Sequence, residues 1–151
     1  MGSAAALLRV LHVAGAVLLL GNVIVTGFWA ALLYRDRARV PFQPVARAIL
    51  LADLVFTLGG GALLTISGIL LVRARGYPVL ETGWLLRGIG ALALATLTWL
   101  VVLLPDQWRL ERLAGTDDAA LRRVFHRWSA VGWCATGVLL YGLWCMVTKR
   151  G

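Results

Sequence analysis

Charge is scarce in this sequence: 15% of its 151 residues are Asp, Glu, Lys or Arg, and 60% are apolar. A soluble domain of this length carries close to a quarter charged residues, so a solvated globule is excluded. Cysteine and histidine are scarcer still, at two each. Cys134 and Cys145 fall on one apolar segment, about 16 Å apart along a helix, beyond disulfide reach. No paired-cysteine metal motif, phosphate-binding glycine loop, HExxH or nucleophile elbow occurs, so a hydrolase or nucleotide-enzyme reading has no footing. The net charge of +8, with no soluble domain to present a groove, speaks for membrane topology and anionic headgroups and against nucleic acid as a partner.

What the chain has is long apolar runs separated by short charged intervals. About 20 apolar residues are needed to cross roughly 30 Å of hydrocarbon, and four runs qualify, at 10–34, 48–72, 84–104 and 128–147. The first is too long for a secretory signal and lacks a small-residue cleavage site, so it reads as a retained helix. The sequence therefore predicts an all-α bundle of four transmembrane helices, one integral membrane domain over 1–151 with helices at about 7–34, 47–72, 84–114 and 118–148. The third is expected to run on to Ala114 with a bend at Pro105, whose ring removes the bond to the Val101 carbonyl. Gly115 can close it, and Thr116 or Asp117 can cap the fourth.

Orientation follows from Lys and Arg near the helix ends. Arg35, Arg37, Arg39, Arg47, Arg109, Arg112, Arg122, Arg123 and Arg127 share one side, against Arg9, Arg73, Arg75, Arg87, Lys149 and Arg150 on the other. Nine against six predicts both termini outside, N-out and C-out.

Polar residues inside the apolar runs recur at helical spacing. His12, Gly15, Leu19, Asn22 and Thr26 form one stripe, Asp53, Thr57, Gly61, Thr65 and Gly68 a second, and Arg87, Ala91, Leu94 and Thr98 a third. These stripes are expected to meet inside the bundle, where small residues permit close approach and hydroxyls and amides bond across helices. Ionisable groups are the costly members. Asp53 lies toward the inner end of its helix and is expected to pair with Arg47 or Arg109. His12 and Arg87 fall at similar depth below the outer interface and can share a pocket, with Met146 at the outer end of the fourth helix. The alternative for His12 is a packing role, bonded to a backbone carbonyl or to a hydroxyl such as Thr65 or Ser67. His126 starts the fourth helix at the opposite face, too far away to ligate a metal together with His12.

The segments LHVAGAVLLLGNVIVTGFW (11–29), LLADLVFTLGGGALLTISG (50–68), WLLRGIGALALATLTWLVVLLPDQ (84–107) and RWSAVGWCATGVLLYGLWCMVTK (127–149) resemble an uncharacterised bacterial four-helix membrane family. That resemblance implies a bacterial inner (cytoplasmic) membrane protein and no particular activity. A more distant similarity is to HemJ-type protoporphyrinogen oxidases, carried by His12 with Gly21 and by Trp84-Leu85-Leu86-Arg87. It implies His12 as metal ligand and haem b as cofactor, with Arg87 in place of that family's helix-3 lysine. Arginine keeps the charge but cannot act as a base, and a second histidine of that family is missing from LALATLTWL. Copper-uptake membrane proteins are a further similarity, thinly supported by two His and two Met.

The expected function is redox work with haem b or a porphyrin in an outer-leaflet pocket of His12, Arg87 and Met146. The alternative is a non-catalytic accessory or assembly subunit of a larger membrane complex, or a homo-oligomer, in contact with the lipid bilayer.

Overall fold

A computed structural model describes residues 2–149. They form four helices and, among the described residues, no strand: α1 (Gly2–Arg35), α2 (Phe42–Arg75), α3 (Gly83–Leu113) and α4 (Asp118–Thr148). All four are long and apolar enough to cross a membrane.

Helix α2 starts at Phe42, earlier than the sequence predicts. The charged interval that looks like loop is the first turns of an amphipathic helix: Pro41 sits at its N-cap, and Phe42, Ala46, Ile49 and Leu50 are buried. Gly115, at φ 83°, follows the end of α3, and the Asp117 carboxylate caps α4 by accepting from the Ala120 amide at 2.9 Å. Both middle helices contain a wide π-helical turn, Asp53–Thr57 in α2 and Trp99–Leu103 in α3. The second ends just before Pro105, where the missing N–H and the ring disrupt the α-helical ladder.

The helices associate in two pairs. In the first, α1 meets the second half of α2 at glycines: a Cβ on Gly15 would lie 2.6 Å from the Leu64 nitrogen, and one on Gly60 2.9 Å from the Leu19 nitrogen. In the second, Met146 of α4 packs onto Gly88 of α3, and a Cβ on Gly142 would come within 2.9 Å of the Ala91 Cβ. Small residues at these crossings let the backbones touch, which is how helices adhere in lipid.

The pairs are joined at one end. There Tyr34 stacks on Phe125 at 3.7 Å, with Phe42 edge-on to both rings, and Trp99, Leu103, Leu110, Leu121 and Trp128 complete a buried cluster. Asp106 of α3, fully buried, accepts two bonds from Arg127 of α4 and one from Arg109. Arg37 bonds Asp118 at 2.9 Å, and that carboxylate raises the Arg37 guanidinium above its usual range. We call this the Asp106 end. Toward the opposite, terminal end, the segments Leu58–Arg75 and Gly83–Thr98 part: among the described residues no Cα of one lies within 8 Å of a Cα of the other.

Candidate functional site

Where the pairs diverge, a cavity of about 340 Å³ lies between them. All four helices line it, with Leu19, Val23 and Thr26 from α1, Thr57, Gly61 and Thr65 from α2, Ala95, Trp99 and Leu103 from α3, and Trp128, Trp133 and Thr136 from α4 among them. The α1 and α2 stripes read from the sequence supply much of this wall, so two of the three stripes meet inside the bundle as expected.

The third stripe does not. Of that stripe Ala91 is buried but Arg87 and Leu94 are exposed, and the buried seam of α3 runs through Leu85, Gly88, Ala91, Ala95 and Trp99. Steps of three and four fit either set. The seam follows the small residues because α3 must approach α4 closely there, and Arg87, one position before Gly88, is turned about 100° away from it.

A hydrogen-bonded polar network stands at the Asp106 end of the cavity, around Asp53. This carboxylate is 5% exposed. Asn22 Nδ2 donates to its Oδ1 at 2.6 Å, the Thr57 hydroxyl donates to the same oxygen at 3.2 Å, and Gln107 Nε2 donates to Oδ2. Asn22 also donates to Thr57 at 3.0 Å. The Trp99 indole approaches the carboxylate, although its N–H closes no hydrogen bond of normal geometry. The expected pairing of Asp53 with Arg47 or Arg109 is not what forms: Arg109 bonds Asp106, Arg47 is exposed, and neutral donors from three helices hold Asp53 instead. Both π turns sit at this level, since Asp53 opens one and Trp99 the other. Such wide turns are frequent at functional sites.

Gln107 is the residue sequence reasoning missed. It is 2% exposed and lines the cavity, and its Oε1 is buried without a partner, as are the indole nitrogens of Trp99 and Trp128. The signal was an amide four residues beyond Leu103 and next to Asp106, on the face that carries the buried seam forward.

The other candidates lie elsewhere. The His12 ring packs against Gly68, donates through Nδ1 to the Leu64 carbonyl at 2.9 Å, and has Ser67 Oγ at 3.3 Å. This is the packing alternative for His12, realised on the α1–α2 seam. Met146 is folded onto Gly88 on the α3–α4 seam. None of His12, Arg87 and Met146 lines the central cavity, and α1 makes no backbone approach to the segment that carries Arg87. His126 is exposed, edge-on to Tyr34 and Phe125 at the Asp106 end. His12 keeps Nε2 available as one ligand. However, Met146 is folded onto Gly88, and Arg87 is exposed on a segment that α1 does not approach. The residues present do not fit a haem between these three side chains.

Residues 6–150 match the model of a family described as "Predicted integral membrane protein (DUF2269)". Neither the curated proteins nor the solved structures contain a match.

Proposed function

Because the chain belongs to this family of integral membrane proteins, it is a multi-pass protein in contact with lipid, and from that premise we propose that it is a binding protein for a lipophilic small molecule. The ligand would enter from the bilayer through the gap between α2 and α3 and lodge in the cavity above Asp53. We place the protein in the bacterial cytoplasmic membrane with both termini outside, a reading supported by the nine-to-six bias of basic residues.

The observation that carries the proposal is the cavity itself. Its volume, about 340 Å³, falls within the roughly 300–1,000 Å³ of small-molecule sites. Its lining has the composition of such sites, apolar walls with a few polar groups, of which Asp53 and Gln107 stand at the Asp106 end. The cavity is open toward the bilayer, since Leu58, Ile66 and Leu100 of its lining are exposed, so an apolar molecule can reach it from lipid.

A second reading, an accessory subunit or homo-oligomer, draws support from Gly21, Gly59, Gly90 and Gly137, which are exposed and have no neighbour within 4 Å of an added Cβ. Bare glycines on lipid-facing helices are places where another helix can press close.

The test of the first reading is extraction of the purified protein with organic solvent, followed by mass spectrometry. Wild type is expected to yield a co-purifying lipophilic compound near one per chain. Gly132→Phe, which fills the cavity from a glycine whose Cβ would have room, is expected to yield little. Equal recovery from both proteins would exclude the cavity as the site.

A further inference from the structure

We propose that the occupant of the cavity is a lipophilic cation: a positively charged centre on an apolar scaffold, held by Asp53 and by the tryptophan rings around it. This deepens the binding role proposed above and rests on it.

The first argument is charge. Among the described residues that line the cavity only Asp53 is ionisable, and no Lys, Arg or His joins it. Asn22, Thr57 and Gln107 orient the carboxylate and disperse its charge, but all three are neutral. The basic side chains that could have balanced it are absent from the cavity wall: Arg109 and Arg127 are bonded to Asp106. A carboxylate withdrawn into an apolar bundle is expensive unless a counter-charge accompanies it, and here the protein supplies none.

The second argument is the wall. Trp99 is buried next to the carboxylate, Trp128 is buried in the same cavity wall, and Trp133 stands half exposed in that wall with its ring against Gly27. Indole faces attract cations, more strongly where water is excluded. The remaining lining, Leu19, Leu58, Ile66, Leu92 and Leu139 among others, suits alkyl or aryl groups. A compact hydrated ion therefore finds little to replace its water, whereas a cation clothed in hydrocarbon matches both the charge and the walls. Gln107 Oε1, buried and unpartnered, offers a second acceptor beside Asp53 for a centre that carries N–H.

The unpartnered indole N–H groups of Trp99 and Trp128 define the competing ligand, a neutral molecule with a strong acceptor oxygen. Two probes separate the alternatives: tetraphenylphosphonium, which is cationic, and triphenylphosphine oxide, which is neutral and an acceptor. Binding is read from quenching of tryptophan fluorescence and from equilibrium dialysis of the full chain in mild detergent. Tetraphenylphosphonium is expected to bind at least about tenfold more tightly than the oxide, and Asp53→Asn to erase that preference.

Where Asp53→Asn loses its fold, Trp133→Leu replaces it as the test, because Trp133 is half exposed. Trp133→Leu is expected to weaken the cation more than the oxide, and Trp133→Phe to restore much of the loss. Binding of the oxide as tight as that of the cation, with no response to Asp53→Asn or Trp133→Leu, would overturn the cation and leave the binding role standing. Failure of both probes, with nothing recovered by extraction, would overturn both.

Discussion

Gln107 of α3 donates to Asp53 of α2, and the two residues are buried together at the level where both helices widen into π turns. The bond ties one helix pair to the other just below the cavity. Gln107→Leu keeps the bulk but leaves Oδ2 of Asp53 without this donor. The expected cost is about 1–3 kcal/mol, since a buried acceptor loses its partner. Denaturation of the detergent-solubilised protein measures it. In a double-mutant cycle with Asp53→Asn the two losses are expected to be non-additive, because the residues touch.

Gly15 and Gly60 are where α1 and α2 touch, backbone to backbone. Gly15→Ala or Gly60→Ala is expected to destabilise by about 1–3 kcal/mol, the usual range for overpacking. Gly21→Ala and Gly59→Ala, which meet nothing, should be neutral or stabilising by up to about 1 kcal/mol through helix propensity. Thermal unfolding of the four single variants shows whether the two pairs separate.

Asp106 is enclosed while its partner Arg127 is half exposed. Removing Arg127 takes away two of the three bonds to this enclosed carboxylate and leaves it only the exposed Arg109, whereas removing the acid leaves cations that can reach headgroups and water. Arg127→Ala is therefore expected to lower the midpoint of unfolding more than Asp106→Asn, and several times more than Arg122→Ala, whose pair with Asp118 lies at the surface. Unfolding midpoints of the three variants in one detergent decide the ranking.

His12 is bonded to Leu64 and packed on Gly68, so His12→Ala is expected to cost about 0.5–1.5 kcal/mol from the lost bond. Protein purified from haem-replete cells is expected to show no Soret band that depends on His12. An absorption spectrum before and after dithionite, on wild type and variant, checks this; a band present in wild type and absent in the variant would return the porphyrin to consideration.

Topology is open to labelling. With Cys134 and Cys145 replaced, Leu80→Cys in the α2–α3 loop is expected to react with an impermeant maleimide in intact cells, and Arg39→Cys in the α1–α2 loop only after lysis. The reverse pattern would invert the proposed orientation.

The four spans, a cap at Thr116 or Asp117 and the inward stripes of α1 and α2 were legible because hydrophobic length, capping residues and helical periodicity are strong signals. The stripe of α3 was not. Its small residues and its polar residues are both spaced in threes and fours, and only the partner helix decides which set faces inward. The partners of Asp53 were hidden for a related reason. Charge favoured an arginine, but Asn22 and Gln107 lie far away in sequence and are brought together by a fold whose π turns shift the helical phase. His12 read as a ligand because a buried imidazole is uncommon, yet a carbonyl on the adjacent helix was enough to accept its proton.

Among the described residues, the contacts that tie one helix pair to the other, the Gln107–Asp53 bond and the Tyr34–Phe125 stack, lie in the Asp106 half of the molecule. The bundle is built like a pair of tongs, with a riveted base and free tips. Slow amide exchange should accordingly be concentrated around Asp106, Leu110 and Trp128, and the arms Leu58–Arg75 and Gly83–Thr98 should exchange sooner. Unfolding then starts at the tips.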